Sequence, residues 1–257
     1  MRLGINVNPA IMSFAEIDAL RVRMVRFPLW ADLFPTHEET LEFYRYVCES
    51  FRKRGIDPLV VLDSRSWAGG APWMNWGDLP FRYVQMGNEP DLDNHTSDSS
   101  STQSVEEFAA DLVWARENYG PDRYIIAGGL AGGHPEFLDE VDLTPVDAIA
   151  VHPYGRRPGD TFPDEDWFFG TAEELIEGYR RFQKPIWVTE FGASRADFLS
   201  EEDRAAYLTL MTDELAHLGA VHALWYCAVR AMNADFGLED EDRRAFIQAS
   251  RRYNGRK

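Results

Sequence analysis

Eight short apolar runs, each followed by helix-like or loop sequence, recur along the whole chain, and this alternation restricts its fold more than any other feature. The candidate strands are 3–7, 22–27, 58–63, 83–87, 124–127, 148–152, 185–190 and 223–226. Helical patterns follow at 14–20, 38–54, 105–118, 136–141, 172–182, 201–218 and 239–253. Ser104 and Glu107 match a capping box and start the helix after the fourth strand. Gly55 and Gly219 stand where a helix would stop. Strands alternating with helices imply a parallel sheet covered by helices. Eight such units in 257 residues is the size of a (β/α)8 TIM barrel, typically about 250 residues. The third helix is expected to be missing or reduced, because 64–80 is crowded with Gly, Pro and Trp. A doubly wound open sheet is the competing architecture, but no G-x-G-x-x-G follows the first strand. With no internal repeat and no linker, residues 1–257 are expected to form a single compact domain.

Composition narrows the function classes. A net charge of −17 opposes any phosphate backbone, so nucleic acid is not an expected partner. Only Cys48 and Cys227 are present, too few for a disulfide framework, and neither has metal-ligand spacing around it. No stretch approaches the roughly 20 apolar residues of a membrane span, and the N-terminal sequence lacks a signal-peptide core, so a cytoplasmic location and no membrane partner are expected. His37, His95, His134, His152, His217 and His222 form neither H-x-H nor H-E-x-x-H, and no nucleophile elbow or phosphate loop is present. No metal and no cofactor are therefore expected.

In a barrel of this kind, chemistry sits at the C-terminal strand ends. Strand four ends in Met86-Gly87-Asn88-Glu89-Pro90-Asp91 and strand seven in Thr189-Glu190-Phe191-Gly192. Each delivers a carboxylate where an apolar run meets a turn, and these two strands face one another across a barrel mouth. Two carboxyls so placed can share acid/base and nucleophilic work on one bond. Taken singly, each Glu reads equally well as an ordinary turn or strand-end charge.

The NEP and TEFG segments resemble glycoside hydrolase clan A, the retaining barrel glycosidases, and the likeness extends over almost the whole chain. In wording, NEPD and HPYG are most similar to families 39 and 5, and NEPD also to family 128. The resemblance implies Glu89 as general acid/base, Glu190 as nucleophile, and Asn88 as the partner of the sugar 2-hydroxyl. It implies further that Arg26, in the strand-two ending Val25-Arg26-Phe27-Pro28-Leu29-Trp30, contacts the nucleophile. His152 and Tyr154 in the strand-six ending match the His-x-Tyr of several clan families, and Trp225 after strand eight would floor the sugar subsite at the scissile bond. The bland readings are an ion pair for Arg26, packing beneath the site for His152, loop shaping for Tyr154 and core filling for Trp225.

Trp30, Trp67 and Trp73 are candidate sugar-stacking residues, with Trp76 close by; a hydrophobic plug replacing the absent third helix is the equal alternative for the last three. Asn6 and Asn8 end strand one within reach of the mouth, with no role assigned. Arg65, Arg156, Arg157, Arg195 and Arg230 raise the possibility of an anionic sugar, against pairing with nearby acids. The expected activity is retaining hydrolysis of β-glycosidic bonds in an oligo- or polysaccharide, with transglycosylation through the same intermediate. The competing class is a non-catalytic carbohydrate-binding barrel, whose signature would be loss of one Glu. A lyase or isomerase would need Lys or a metal cluster at the strand ends, and Lys184 precedes strand seven at its wrong end. Sugar identity, linkage, exo or endo action and oligomeric state are not legible in the chain.

Overall fold

The computed structural model describes residues 1–63, 66, 76–91, 103–131, 135–154, 171–198 and 200–255. Eight parallel strands close into a barrel in chain order, which excludes the open sheet. They are β1 (Arg2–Asn6), β2 (Met24–Pro28), β3 (Asp57–Leu62), β4 (Tyr83–Met86), β5 (Tyr124–Leu130), β6 (Ala148–Val151), β7 (Ile186–Phe191) and β8 (His222–Trp225). Closure is made by β1 against β8, from Arg2 opposite His222 to Ile5 opposite Trp225. The helices are α1 (Phe14–Ala19), α2 (His37–Lys53), α3 (Val105–Tyr119), α4 (Ala172–Arg180), α5 (Glu201–His217) and α6 (Asp240–Asn254). Between β3 and β4 the described residues include the 3₁₀ turn Trp76–Asp78, and most of 64–80, where the third helix is expected to be reduced, lies outside them. The helix expected at 136–141 is a 3₁₀ helix instead, Pro135–Glu140.

Local signals set the helix ends. Ser104 and Glu107 exchange capping bonds at the start of α3, as do Ser13 with Glu16, Thr36 with Glu39 and Thr171 with Glu174. Gly55 and Gly219, just past α2 and α5, take left-handed φ values of 69° and 83° that L side chains rarely adopt. No helix among the described residues is long and apolar enough to cross a membrane.

Strand alternation sorts the core into two layers. Met24, Leu59, Tyr83, Ile126, Trp187 and Leu224 belong to a cluster inside the barrel. Their neighbours Val25, Val60, Val84, Ile125, Val188 and Trp225 belong to the larger cluster between sheet and helices. Above the inner plug, the same inward phase brings up Asn6, Arg26, Gln85, His152 and Thr189, all buried polar side chains. Two register shifts modify the phase. On β7, Val188 lies opposite Ala223 and Phe191 opposite Trp225, so three steps match two. On β5, Ala127 lies opposite Ile149 and Leu130 opposite Val151 in the same way. An extra residue of this kind re-aims the side chains around it, and both bulges lie toward the C-terminal end of the barrel.

Candidate active site

A cleft of about 700 Å³ opens at the C-terminal strand ends. Arg26, Asn88, Glu89, Tyr154 and Glu190 line it, with Asn6, Asn8, Trp30, Tyr44, Asp63, Tyr226, Met232 and Phe236. A carboxylate oxygen of Glu89, a ring nitrogen of His152 and a carboxylate oxygen of Glu190 all lie within 4.8 Å of one another. Two chain-distant acids thus meet, as the strand-end pattern predicts.

Their surroundings differ. Glu190 has a side chain only 9% exposed, and Arg26 Nη1 donates to its Oε1 at 2.5 Å. The Tyr154 hydroxyl donates to Oε2. Burial pushes the Glu190 carboxyl up, but the Arg26 charge, aided by His152 and by the Tyr154 and Arg26 hydrogen bonds, outweighs it and holds the group below its ordinary value. Burial and the adjacent Glu190 push the Tyr154 phenol well above its usual range, so it stays a donor. Glu89 is more open, its side chain 21% exposed, and its hydrogen-bond partner is the His152 ring, with Nδ1 3.0 Å from Oε1. The other ring nitrogen, Nε2, lies 2.9 Å from Thr189 Oγ1. Glu89, His152 and Glu190 also carry ligand-type atoms for a cation; Arg26 and Tyr154 already occupy both Glu190 oxygens.

The backbone pays attention to Glu89. It stands at φ 51°, a left-handed conformation that costs a non-glycine residue roughly 1–2 kcal/mol. Its N–H donates to Gly129 O at 2.9 Å, which anchors the turn on the β5 bulge. Gly129 is required there, since a Cβ would stand 2.4 Å from His152 Nε2. The Gly128-Gly129 pair was the available sequence signal for this close approach, and it was not read.

Arg26, Asn88, His152 and Tyr154 therefore sit where the strand-end reading places them. Arg26 also donates from Nη2 to Asn88 Oδ1 at 2.5 Å, joining the two carboxylate-bearing segments. Trp30 lines the cleft. Trp225 requires a correction. It is fully buried on the helix side of β8, edge-on to Phe191 and under the Arg204 guanidinium, and it does not line the cleft. Leu224 points into the barrel, so alternation sends Trp225 outward and leaves the next residue, Tyr226, to wall the cleft. Tyr226 and Phe236 pack edge-on against Tyr154. Sequence reasoning named neither, although Tyr226 adjoins the chosen Trp. Trp67, Trp73, Arg65, Arg156 and Arg157 lie outside the described residues. Trp76 is fully buried against Tyr44, as a plug. Arg195 pairs with Glu201, Glu239 and Asp242, and Arg230 with Glu239, so these two take the ion-pair reading.

The family model for the glycosyl hydrolase catalytic core matches residues 75–241, which include both glutamates. The chain belongs to the glycosyl hydrolase catalytic-core family. A search of curated protein sequences finds no match. Among solved structures the chain is similar to a family 39 glycoside hydrolase from Bacteroides cellulosilyticus, at 20% identity and TM-score 0.66, over 98% of this chain. It spans 64% of that enzyme's length. It is similar as well to a family 128 endo-β-1,3-glucanase from Amycolatopsis mediterranei, at 16% identity and TM-score 0.63, over 96% of this chain and 99% of that one. A subfamily 18 member of family 5 from Bifidobacterium longum subsp. infantis matches at 17% identity and TM-score 0.69, over 98% and 79% of the two chains. At these identities the likeness is one of fold. The family match bears out the glycoside hydrolase part of the resemblance, and the likeness to these structures bears out its barrel fold.

Proposed function

We propose that this glycosyl hydrolase core is a retaining β-glycosidase, with Glu190 as nucleophile and Glu89 as general acid/base. The observation that carries the reading is the approach of the two carboxylates to within 4.8 Å, in different surroundings. Retaining enzymes hold their carboxyls about 5–5.5 Å apart, whereas inverting ones leave about 6.5–9.5 Å for a water between them.

The chemistry follows from the hydrogen bonds. Glu190, kept ionised by Arg26, attacks the anomeric carbon as the glycosidic C–O bond breaks. With Nδ1 protonated, His152 donates to Glu89 Oε1, which leaves Oε2 to carry the proton delivered to the departing oxygen. Once the glycosyl ester forms, Glu190 loses its charge, and Glu89, now ionised, is free of like-charge repulsion. It then takes a proton from water or a sugar hydroxyl, which attacks the anomeric carbon and releases Glu190. Because Asn88 Oδ1 accepts from Arg26, its Nδ2 is the group left to donate to the sugar 2-oxygen. Tyr226 and Trp30 supply aromatic faces for sugar C–H groups in a cleft of oligosaccharide size. A β-linked glucan-type oligosaccharide is the proposed substrate class, supported by the endo-β-1,3-glucanase whose structure holds laminaripentaose.

The test compares the native protein with Glu190→Gln on aryl β-glycosides and β-linked oligosaccharides, following the first anomer released by NMR. Turnover giving the β-anomer first and abolished by the substitution supports the reading. Equal activity in both proteins sinks it. Binding without turnover in either protein would turn the reading toward a carbohydrate-binding barrel.

A further inference from the structure

Two buried amides that the mechanism above does not use make the same pair of bonds on opposite sides of Arg26. Gln85, fully buried on β4, accepts from Arg26 Nε through Oε1 at 2.9 Å and donates from Nε2 to Gly87 O at 2.8 Å. Asn6, at the end of β1 and 3% exposed, accepts from Arg26 Nη1 through Oδ1 at 2.7 Å. Its Nδ2 donates to Thr189 O at 3.0 Å and to Trp225 O at 3.3 Å. Gly87 lies two residues before Glu89, and Thr189 directly precedes Glu190. Each amide thus links the guanidinium to the backbone that carries one of the two carboxylates.

We propose that Gln85 and Asn6 are positioning residues that hold the Arg26 guanidinium in register with both carboxylates. The proposal rests on the reading of Glu89 and Glu190 as the reacting pair. A guanidinium only donates and a backbone carbonyl only accepts, so the side chain between them must accept at one end and donate at the other. It must also be uncharged, because an extra anion would compete with Glu190 for the Arg26 charge. A primary amide meets both demands, and the partners leave no ambiguity about which end is oxygen. Among the described residues, the charged and titratable groups around this hub include Arg26 on β2, Asp63 after β3, Glu89 after β4, His152 and Tyr154 after β6, Glu190 on β7, and Tyr226 and Cys227 after β8.

The test combines 13C NMR titration of the Glu190 carboxyl (assigned by its loss in Glu190→Gln) with kcat, KM and thermal melts for Gln85→Leu, Gln85→Glu and Asn6→Asp. In Gln85→Leu, the Glu190 titration is expected to rise by about half a unit or more. The same variant should lose about tenfold in kcat with little change in KM. Gln85→Glu carries a sharper signature. Its introduced carboxyl reproduces both hydrogen bonds only while protonated, so activity should approach that of the native protein at low pH and fall as the carboxyl ionises. Asn6→Asp should behave alike. A folded Gln85→Leu protein with native Glu190 titration and native kcat overturns the proposal. If that variant does not fold, a Gln85→Glu pH profile parallel to the native one overturns it. The carboxyl titration does not depend on turnover, so a protein silent on every glycoside would refute the glycosidase reading and still decide the role of the amides.

Discussion

Arg26 and Arg204 are both buried cations paired with a buried carboxylate, yet the remaining donors of the two guanidiniums are spent differently. Arg204 on α5 pairs with Asp242 on α6, with side chains 1% and 0% exposed. Its other hydrogen bonds go to backbone carbonyls: Phe236 at 2.7 Å, Gly237 at 3.3 Å and Ala193 at 3.4 Å. Those bonds pin the loop after β8 to the loop after β7, and burial depresses the guanidinium pKa to about 10. Arg26 instead meets side chains, namely Gln85, Asn6, Asn88 and Glu190, and all but the first line the cleft. An arginine that satisfies backbone carbonyls fastens the fold. One that satisfies side chains facing a cleft sets the charge and orientation of those side chains. Chemical identity of the pair does not separate these roles; the acceptors do.

The sharpest way to break the comparison is to remove each cation in turn. Arg26→Met is expected to lower kcat/KM by about 100-fold or more, since Glu190 then keeps the burial that raises its pKa without the charge that lowers it. Arg204→Met is expected to cost about 3 kcal/mol of stability in urea unfolding, because buried Asp242 then keeps only the longer pairing with Arg195, at 3.5 Å. Activity per folded molecule should suffer far less than in Arg26→Met. Replacing both Arg204 and Asp242 with apolar residues should recover much of that stability. Equal activity losses from the two arginine substitutions would erase the distinction.

A smaller effect sharpens the electrostatic side. Glu190 has a folded-state pKa below its ordinary value, so its ionisation stabilises the fold above the unfolded-state pKa. That contribution is lost as pH falls through the depressed value. The stability of the native protein relative to Glu190→Gln should therefore decline as pH falls below the ordinary carboxylate value of 4.5. A constant difference across that range would show that the group titrates normally. The smallest expected effect concerns β8. Tyr226→Ala should raise KM several-fold with little loss of stability, whereas Trp225→Phe should lower stability by about 1 kcal/mol or more and leave KM unchanged. The opposite pattern would return the sugar-facing role to Trp225.

Much of the barrel was legible because its signals are local. The apolar runs ended within a few residues of the strands they predict, and capping boxes and left-handed glycines marked helix ends that need no tertiary partner. Glu89 and Glu190 were legible too, since each sits at the junction of strand and turn in the one-dimensional pattern. Trp225 was misread because Ala223-Leu224-Trp225-Tyr226 is apolar throughout and offers no polar alternation to set its phase. Gln85 went unread for a related reason: a single amide inside an apolar strand has no meaning until Arg26 from β2 arrives beside it.

By itself, then, the sequence determined the order of eight strand units and the two strand ends that bring carboxylates, because these depend on periodicity and on neighbours in the chain. Only the tertiary structure decided which face each strand-end residue presents. Closure of β1 on β8 and the bulges on β5 and β7 set that phase, through contacts between residues far apart in sequence. The same closure decided that Arg26 would reach Glu190 while Arg204 would fasten two loops. Both are arginines beside acids, and their difference lies wholly in what the folded chain places around them.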